Sequence, residues 1–175
     1  MRWLGFAICA VVVLTLQTTL AWRLEIGGVR PDWMLVMAVF FTLHARSMDA
    51  LIGAWLLGAA MDVYSIARFG LLSGCYAVTM LAVYAVREYV FRDNPIAHFV
   101  LTFISAAVIG MASMVYRVVT VGGADSGVMA TVGTLLLGAA YTAAWAPPLH
   151  YVLLRFPRFL GVGAPRRSFR SGRRR

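Results

Sequence analysis

The stretch "LIGAWLLGAAMDVYS", residues 51–65, decides the fold class, because it is almost wholly apolar and yet carries a carboxylate, Asp62, before it ends. In water, an aspartate on a helix is ordinary. In lipid it is costly, and ionisable residues of membrane segments face the protein interior or mark functional sites. The surroundings of residues 51–65 therefore determine what Asp62 does.

The composition places this stretch in a membrane. The 175-residue chain is 61% hydrophobic and 13% charged, and its mean hydropathy is +0.79. Soluble domains are roughly 45–50% apolar and about 25% charged. The polar residues are too few to cover the surface of a soluble domain, so the sequence predicts an integral membrane protein.

Six apolar segments approach the length of about 20 residues that a helix needs to cross a bilayer. Their apolar runs are continuous, which favours helices over membrane strands with alternating patterns. The predicted fold is an all-α polytopic bundle in residues 1–160, followed by a disordered Arg-rich tail in residues 161–175. The predicted helices are residues 3–21, 32–44, 48–64, 70–86, 96–119 and 129–155.

The first segment, residues 3–21, is predicted to be a retained helix and not a cleaved signal peptide. It is longer than the 7–15-residue apolar core of a signal peptide. Trp3 and Trp22 flank it in the manner of interfacial anchors.

The second segment, residues 32–44, is short, because thirteen residues give a helix of only about 20 Å. It could extend back to Val29, thin the bilayer locally, or be shielded by neighbouring helices. Pro31 and Asp32 suit its beginning, since proline is tolerated in a first turn and aspartate accepts hydrogen bonds from free backbone N–H groups. Asp32 is therefore interpreted as a helix cap.

Prolines and histidines lie near the predicted inner ends of the helices. Pro147 and Pro148 are expected to bend or end the sixth helix there, because proline disrupts a helix interior. His44, His98 and His150 are interpreted as scattered interfacial polar residues and not as metal ligands.

The arginines predict the orientation. All sixteen basic residues are arginine. If the N-terminus is inside, twelve arginines lie on inner segments, and four lie on or near outer loops: Arg23, Arg30, Arg68 and Arg117. Because cytoplasmic loops are enriched in basic residues, both termini are predicted to be cytoplasmic, in a multi-pass protein of the bacterial inner membrane.

The tail has two compatible interpretations. It is a topology signal, and it can bind anionic lipid headgroups at the membrane surface. We find no aromatic and basic stripe of the kind that stacks nucleic-acid bases, so nucleic acid is not an expected partner. The six tail arginines are Arg166, Arg167, Arg170, Arg173, Arg174 and Arg175.

Small residues mark the predicted helix contacts. Ala54, Gly58 and Asp62 are spaced by four and share one helix face, and small residues allow a second helix to approach closely. Asp62 is therefore predicted to point into a helix interface near the outer end of its helix. The same internal packing, or contact with a partner, is expected at Gly70, Gly74, Ala106, Gly110 and Gly138.

No pattern in the sequence predicts catalysis. The chain contains no G-x-S-x-G, H-E-x-x-H or phosphate-binding glycine loop. Cys9 and Cys75 lie in apolar segments, where cysteine acts as a small hydrophobic residue. We therefore expect neither enzyme activity nor a bound metal or cofactor.

The order of these features resembles the family of the bacterial rod shape-determining protein MreD. "RPDWMLVMAVFFTLHAR" begins a short helix with Pro-Asp. Residues 51–65 hold a glycine-bearing apolar helix that ends in aspartate, Asp62, and "FGLLSGCYAVTMLAVYAV" enters its helix through glycine. The family loop after the aspartate often holds small residues and proline, whereas this chain has "VYSIARF". By motif position, the family residues are Pro31, Asp32, Gly58, Asp62 and Gly70.

The resemblance implies a non-catalytic scaffold of the bacterial cell-elongation (rod) complex. Such a scaffold would bind an MreC-like single-pass membrane protein and, indirectly, connect actin-like filaments to peptidoglycan synthases. The implied fold is similar to the substrate-binding components of energy-coupling-factor transporters. The alternative is a small-solute-binding or transport component of the membrane.

A hypothesis for Asp62 follows from both arguments. It is expected to order the outer end of the bundle, either through backbone N–H groups of the following segment or through Arg68.

Overall fold

The computed structural model describes residues 3–45, 47–65, 70–87, 94–121 and 128–155. Every regular element in these ranges is an α-helix, which confirms the all-α class. The helices are α1 (Trp3–Thr19), α2 (Trp33–His44), α3 (Ser47–Tyr64), α4 (Leu71–Val86), α5 (Pro95–Val121), α6 (Val128–Ala144) and α7 (Ala146–Leu154).

The sixth predicted segment is two helices, α6 and α7, which meet at Trp145. The break precedes Pro147 and Pro148, so both prolines fall in the first turn of α7. A first-turn N–H has no partner within its own helix, and a proline there costs little, whereas an interior proline clashes with the preceding turn. The prolines therefore begin a helix. The preceding helix ends just before them, which is one of the two expected alternatives, and the single helix predicted over residues 129–155 is corrected to two.

The short helix α2 is the centre of the bundle. All residues from Trp33 to Leu43 are buried, and α2 contacts each of the other six helices. A helix that is apolar on every side is stable only when its whole circumference is covered. Of the three expectations for this segment, shielding by its neighbours is the one that the structure shows.

The predicted backward extension of α2 to Val29 is wrong. Ile26 and Val29 exchange two backbone hydrogen bonds of 3.1 Å across a tight turn. Gly27 and Gly28 form this turn with φ values of 62° and 80°, a conformation that glycine adopts without a steric cost. The turn reverses the chain before Asp32, so α2 begins after it.

The two ends of the bundle differ in which segments meet there. Phe6 of α1 packs edge-on against Phe41 of α2 with ring centroids 5.0 Å apart, and His150 of α7 lies 5.2 Å from Phe40. The start of α1 and the last turns of α7 therefore lie beside the same half of α2. We call this the terminal end, and the end at which α3 leads into α4 the opposite end.

Helix length and hydropathy mark one membrane-spanning candidate among the described residues, within α5 at Pro95–Thr120. Helices α1, α2 and α4 are apolar but shorter. The most extensive helix contacts join α3 to α4 and α5 to α6, and α1 packs mainly on α2. The bundle thus consists of two packed helix pairs, α3 with α4 and α5 with α6, which surround α2 together with α1 and α7.

Candidate functional site

Asp62, in the last turns of α3, caps the start of α4. The residue is 3% exposed. It accepts hydrogen bonds from the backbone N–H groups of Gly70, Leu72 and Ser73, at 3.0, 2.9 and 3.0 Å. The first N–H groups of a helix have no partner within the helix, and a carboxylate there also favours the positive end of the helix dipole. From the sequence, Asp62 is expected to bond either backbone N–H groups of the following segment or Arg68. The structure shows the backbone contacts, and Arg68 lies outside the described residues.

Two glycines allow Asp62 to reach this position. Gly70 precedes α4 with φ of +105°, a backbone conformation that residues other than glycine rarely adopt. At Gly58, an added methyl group would lie 2.6 Å from the Cα of Ser73. Backbone therefore packs directly on backbone where α3 crosses α4, one helical turn from the Asp62 carboxylate.

The small-residue face of α3 is an internal contact surface. Ala54 is 1% exposed and Gly58 is buried, and both belong to the side of α3 that carries Asp62. Gly74 behaves differently, since it is exposed and has no heavy atom of the described chain within 4 Å of an added Cβ. The repeated glycines of α4 therefore do not make a second internal contact at Gly74.

The remaining small residues lie at other contacts inside the bundle. A Cβ at Gly110 of α5 would lie 2.9 Å from the side chain of Leu135. One at Gly138 would lie 3.2 Å from Val29, in the turn before α2. Ala106 is partly buried against the core.

Asp32 caps α2 and also ties it to two other helices. Its carboxylate accepts a hydrogen bond of 3.0 Å from the Leu35 N–H, which is the cap expected from the sequence. The other oxygen accepts one of 2.6 Å from the Tyr76 hydroxyl of α4. The Asp32 N–H donates to the Thr142 hydroxyl of α6 at 3.1 Å.

Gln17 of α1 completes this polar network around the start of α2. Its amide nitrogen donates to the Pro31 carbonyl at 2.8 Å, and its amide oxygen accepts from the Trp33 N–H at 2.9 Å. One side chain therefore satisfies a backbone acceptor and a backbone donor on either side of Asp32. The start of α2 is bonded to α1, α4 and α6.

The two aspartates together position α4. Asp62 holds the Ser73 N–H, and Asp32 holds the Tyr76 hydroxyl one turn further along the same helix. Asp32 accepts hydrogen bonds at the start of α2, and Asp62 accepts them at the start of α4. Both carboxylates therefore act as hydrogen-bond acceptors that fix the positions of helices. Sequence reasoning did not predict the partners of Gln17, Tyr76 and Thr142, since these partners are distant in the chain and no local pattern signals them.

Replacing Tyr76 with phenylalanine should lower the stability of the bundle by about 1–3 kcal/mol, because one oxygen of the partly buried Asp32 carboxylate loses its donor. Thermal unfolding in detergent, followed by tryptophan fluorescence, measures the change. Tyr151→Phe is the matched control, because Tyr151 is 70% exposed, and it should unfold like the parent. Equal unfolding midpoints for both variants would contradict the role of the Tyr76 hydroxyl.

The three histidines are gathered at the terminal end, contrary to the expectation of scattered interfacial residues. The His98 and His150 rings stack with centroids 4.0 Å apart, and His44 lies 6.3 and 6.4 Å from them. His98 is 4% and His150 2% exposed. The sequence carries a signal for the burial of His98, because His98, Thr102 and Ser105 recur at the spacing of one helix face.

Within the described residues, no group of three or more histidine, cysteine, aspartate or glutamate side chains has the geometry to hold a metal ion. Cys9 and Cys75 are free thiols on α1 and α4. The six tail arginines lie outside the described residues.

Comparison with known proteins gives one match. The family model described as rod shape-determining protein MreD matches residues 1–156, which is most of the chain. This confirms the resemblance drawn from the Pro-Asp, Gly58, Asp62 and Gly70 series. No curated protein and no solved structure shows a significant match.

Proposed function

The chain belongs to the family of the rod shape-determining protein MreD, and we propose that it serves rod shape as a non-catalytic membrane scaffold. In this proposal it binds an MreC-like single-pass membrane protein in the cell-elongation complex. Through that partner it supports peptidoglycan synthesis and connects indirectly to actin-like filaments.

The capping of α4 by Asp62 carries the proposal. A buried carboxylate that accepts three backbone N–H groups is suited to holding a shape, since its oxygens are already engaged as acceptors. The same holds for Asp32, which accepts from Leu35 and Tyr76. Both intramembrane acids of the family motif are thereby accounted for as parts of a rigid bundle.

We further propose that the terminal end faces the cytoplasm of a bacterium and that the protein is a multi-pass component of the inner membrane. Twelve of the sixteen arginines then lie on the cytoplasmic side, in keeping with the usual excess of basic residues there. The arginine tail would lie against anionic headgroups. We also propose that the fold is similar to that of the substrate-binding components of energy-coupling-factor transporters.

A second candidate function is the binding or transport of a small solute. The observation in its favour is a set of buried polar atoms, Thr102 Oγ1, Ser105 Oγ and His150 Nε2, that have no hydrogen-bond partner among the described residues. Convergent polar groups inside a bundle are typical of solute sites. These atoms lie on α5 and α7, apart from the family motif.

Co-purification separates the two functions. The tagged full chain is co-expressed with the MreC-like protein of the same bacterium, solubilised in mild detergent and captured. We expect comparable molar amounts of both proteins, and reduced recovery of the partner with Asp62→Asn at equal amounts of captured protein. Capture of a tightly bound small molecule, with the partner absent, would contradict the scaffold and favour the solute-binding function.

A further inference from the structure

Three helices bring imidazole rings together at the terminal end. His98 of α5 and His150 of α7 stack at 4.0 Å with an interplanar angle of 27°. His44, the last residue of α2, stacks on Phe40 at 4.6 Å, and Phe40 also contacts His150 edge-on. The chain contains three histidines in all, and each of them belongs to this cluster.

We propose that the stacked rings of His98 and His150 form a pH-sensitive latch that fastens α7 to α5 while both rings are neutral and loosens when the cluster takes up protons. The proposal goes beyond the scaffold function and does not depend on it.

The hydrogen bonds of His150 identify the nitrogen that would take the proton. Its Nδ1 lies 2.9 Å from the Ala146 carbonyl oxygen. A carbonyl oxygen only accepts, so Nδ1 carries the hydrogen and Nε2 is the basic atom of the neutral ring. This Nε2 is buried and has no hydrogen-bond partner among the described residues. A charge formed there is poorly solvated, which favours separation of the helices over protonation in place.

The neighbouring rings add to this effect. A proton on His150 places a positive charge against the His98 ring at 4.0 Å. A second proton, on His98, adds a like charge at that distance, and two such charges repel inside a protein. The stabilisation by the neutral stack is therefore present at neutral pH. It is lost as the pH falls through the range in which imidazoles titrate.

The other charged or titratable groups near this end differ in kind from the imidazoles. Arg87, directly after α4, donates to the Ala45 carbonyl at 3.1 Å and lies over the Tyr84 ring. The one titratable side chain of α6, Tyr141, donates to the Leu24 carbonyl. Asp49 lies in the first turn of α3. Tyr151 lies on α7, and Arg155 directly follows it.

Hydrogen exchange of the purified full chain tests the latch. Exchange of the α7 amides is compared with exchange of the α3 amides in the same sample, which cancels the intrinsic effect of pH on exchange. Between about pH 7.5 and about pH 5.5, we expect the ratio of α7 to α3 exchange to rise severalfold and reversibly. Arg155→Gln, at the exposed end of α7, is the matched control and should respond like the parent.

His98→Phe keeps an aromatic ring in the stack and removes its charge. In this variant the ratio should rise less than in the parent chain over the same pH range, because His150 keeps its buried Nε2 but loses the second imidazole that can take up a proton beside it. A constant ratio in the parent chain would overturn the latch, as would a full response in His98→Phe. If His98→Phe does not fold, His98→Gln replaces it, and the parent measurement decides by itself.

Discussion

Asp62→Leu is expected to destabilise the bundle by about 3 kcal/mol or more, the largest effect of any single carboxylate in the described structure. Three backbone N–H groups lose a charged acceptor at once. Each donor left unsatisfied in a buried position costs about 1–3 kcal/mol, and part of this is recovered by relaxation. For a chain of this size, the unfolding midpoint should fall by about 10 °C.

Asp62→Asn separates the charge from the shape of the side chain. An amide keeps one acceptor oxygen but turns an NH₂ group towards backbone donors. The loss of stability in Asp62→Asn should therefore approach that in Asp62→Leu. Glu25→Gln is the control, because the Glu25 carboxylate pairs with Arg30 at 2.7 Å on a partly exposed surface, and such pairs contribute less than about 1 kcal/mol. An Asp62→Asn variant as stable as Glu25→Gln would refute the cap.

Gly58→Ala should be almost as damaging, at about 3 kcal/mol. The added methyl group would lie 2.6 Å from the Ser73 Cα and 3.0 Å from the Leu72 carbonyl oxygen. Both are backbone atoms, so no side chain can move aside, and α3 and α4 must separate. Separation would also lengthen the hydrogen bonds from Leu72 and Ser73 to Asp62.

Gly74→Ala provides the matched comparison on the facing helix. Gly74 is exposed with no described atom near an added Cβ, and alanine favours a helix over glycine by up to about 1 kcal/mol. This variant should be as stable as the parent or slightly more stable. Thermal unfolding in one detergent measures the midpoints of both variants. Equal midpoints for Gly58→Ala and Gly74→Ala would contradict direct backbone packing at Gly58.

The sequence predicts the parts of this fold that depend on local chemistry. Continuous apolar runs predict helices, and a Pro-Asp pair predicts the cap of α2. Spacing by four predicts that Ala54, Gly58 and Asp62 share a face, because helix geometry alone determines it.

The sequence does not predict contacts that form only when distant segments meet. Gly58 and Gly74 are equivalent as small residues in apolar helices, yet one is packed on backbone and the other is exposed, since the choice depends on where α3 crosses α4. The Tyr76 hydroxyl donates a hydrogen bond to Asp32, which lies 44 positions earlier in the chain. The histidine cluster draws on three helices, so no spacing within one helix reveals it as a cluster.

The central claim is that the Asp62 carboxylate caps α4 within a buried site, and amide exchange at single residues tests it most directly. First-turn amides of a helix normally exchange fast, because they have no partner within the helix. We predict that the amides of Leu72 and Ser73 in the parent chain are protected like those in the middle of α4, and that Asp62→Asn removes this protection. Fast exchange of both amides in the parent chain, or unchanged protection in Asp62→Asn, would contradict the account.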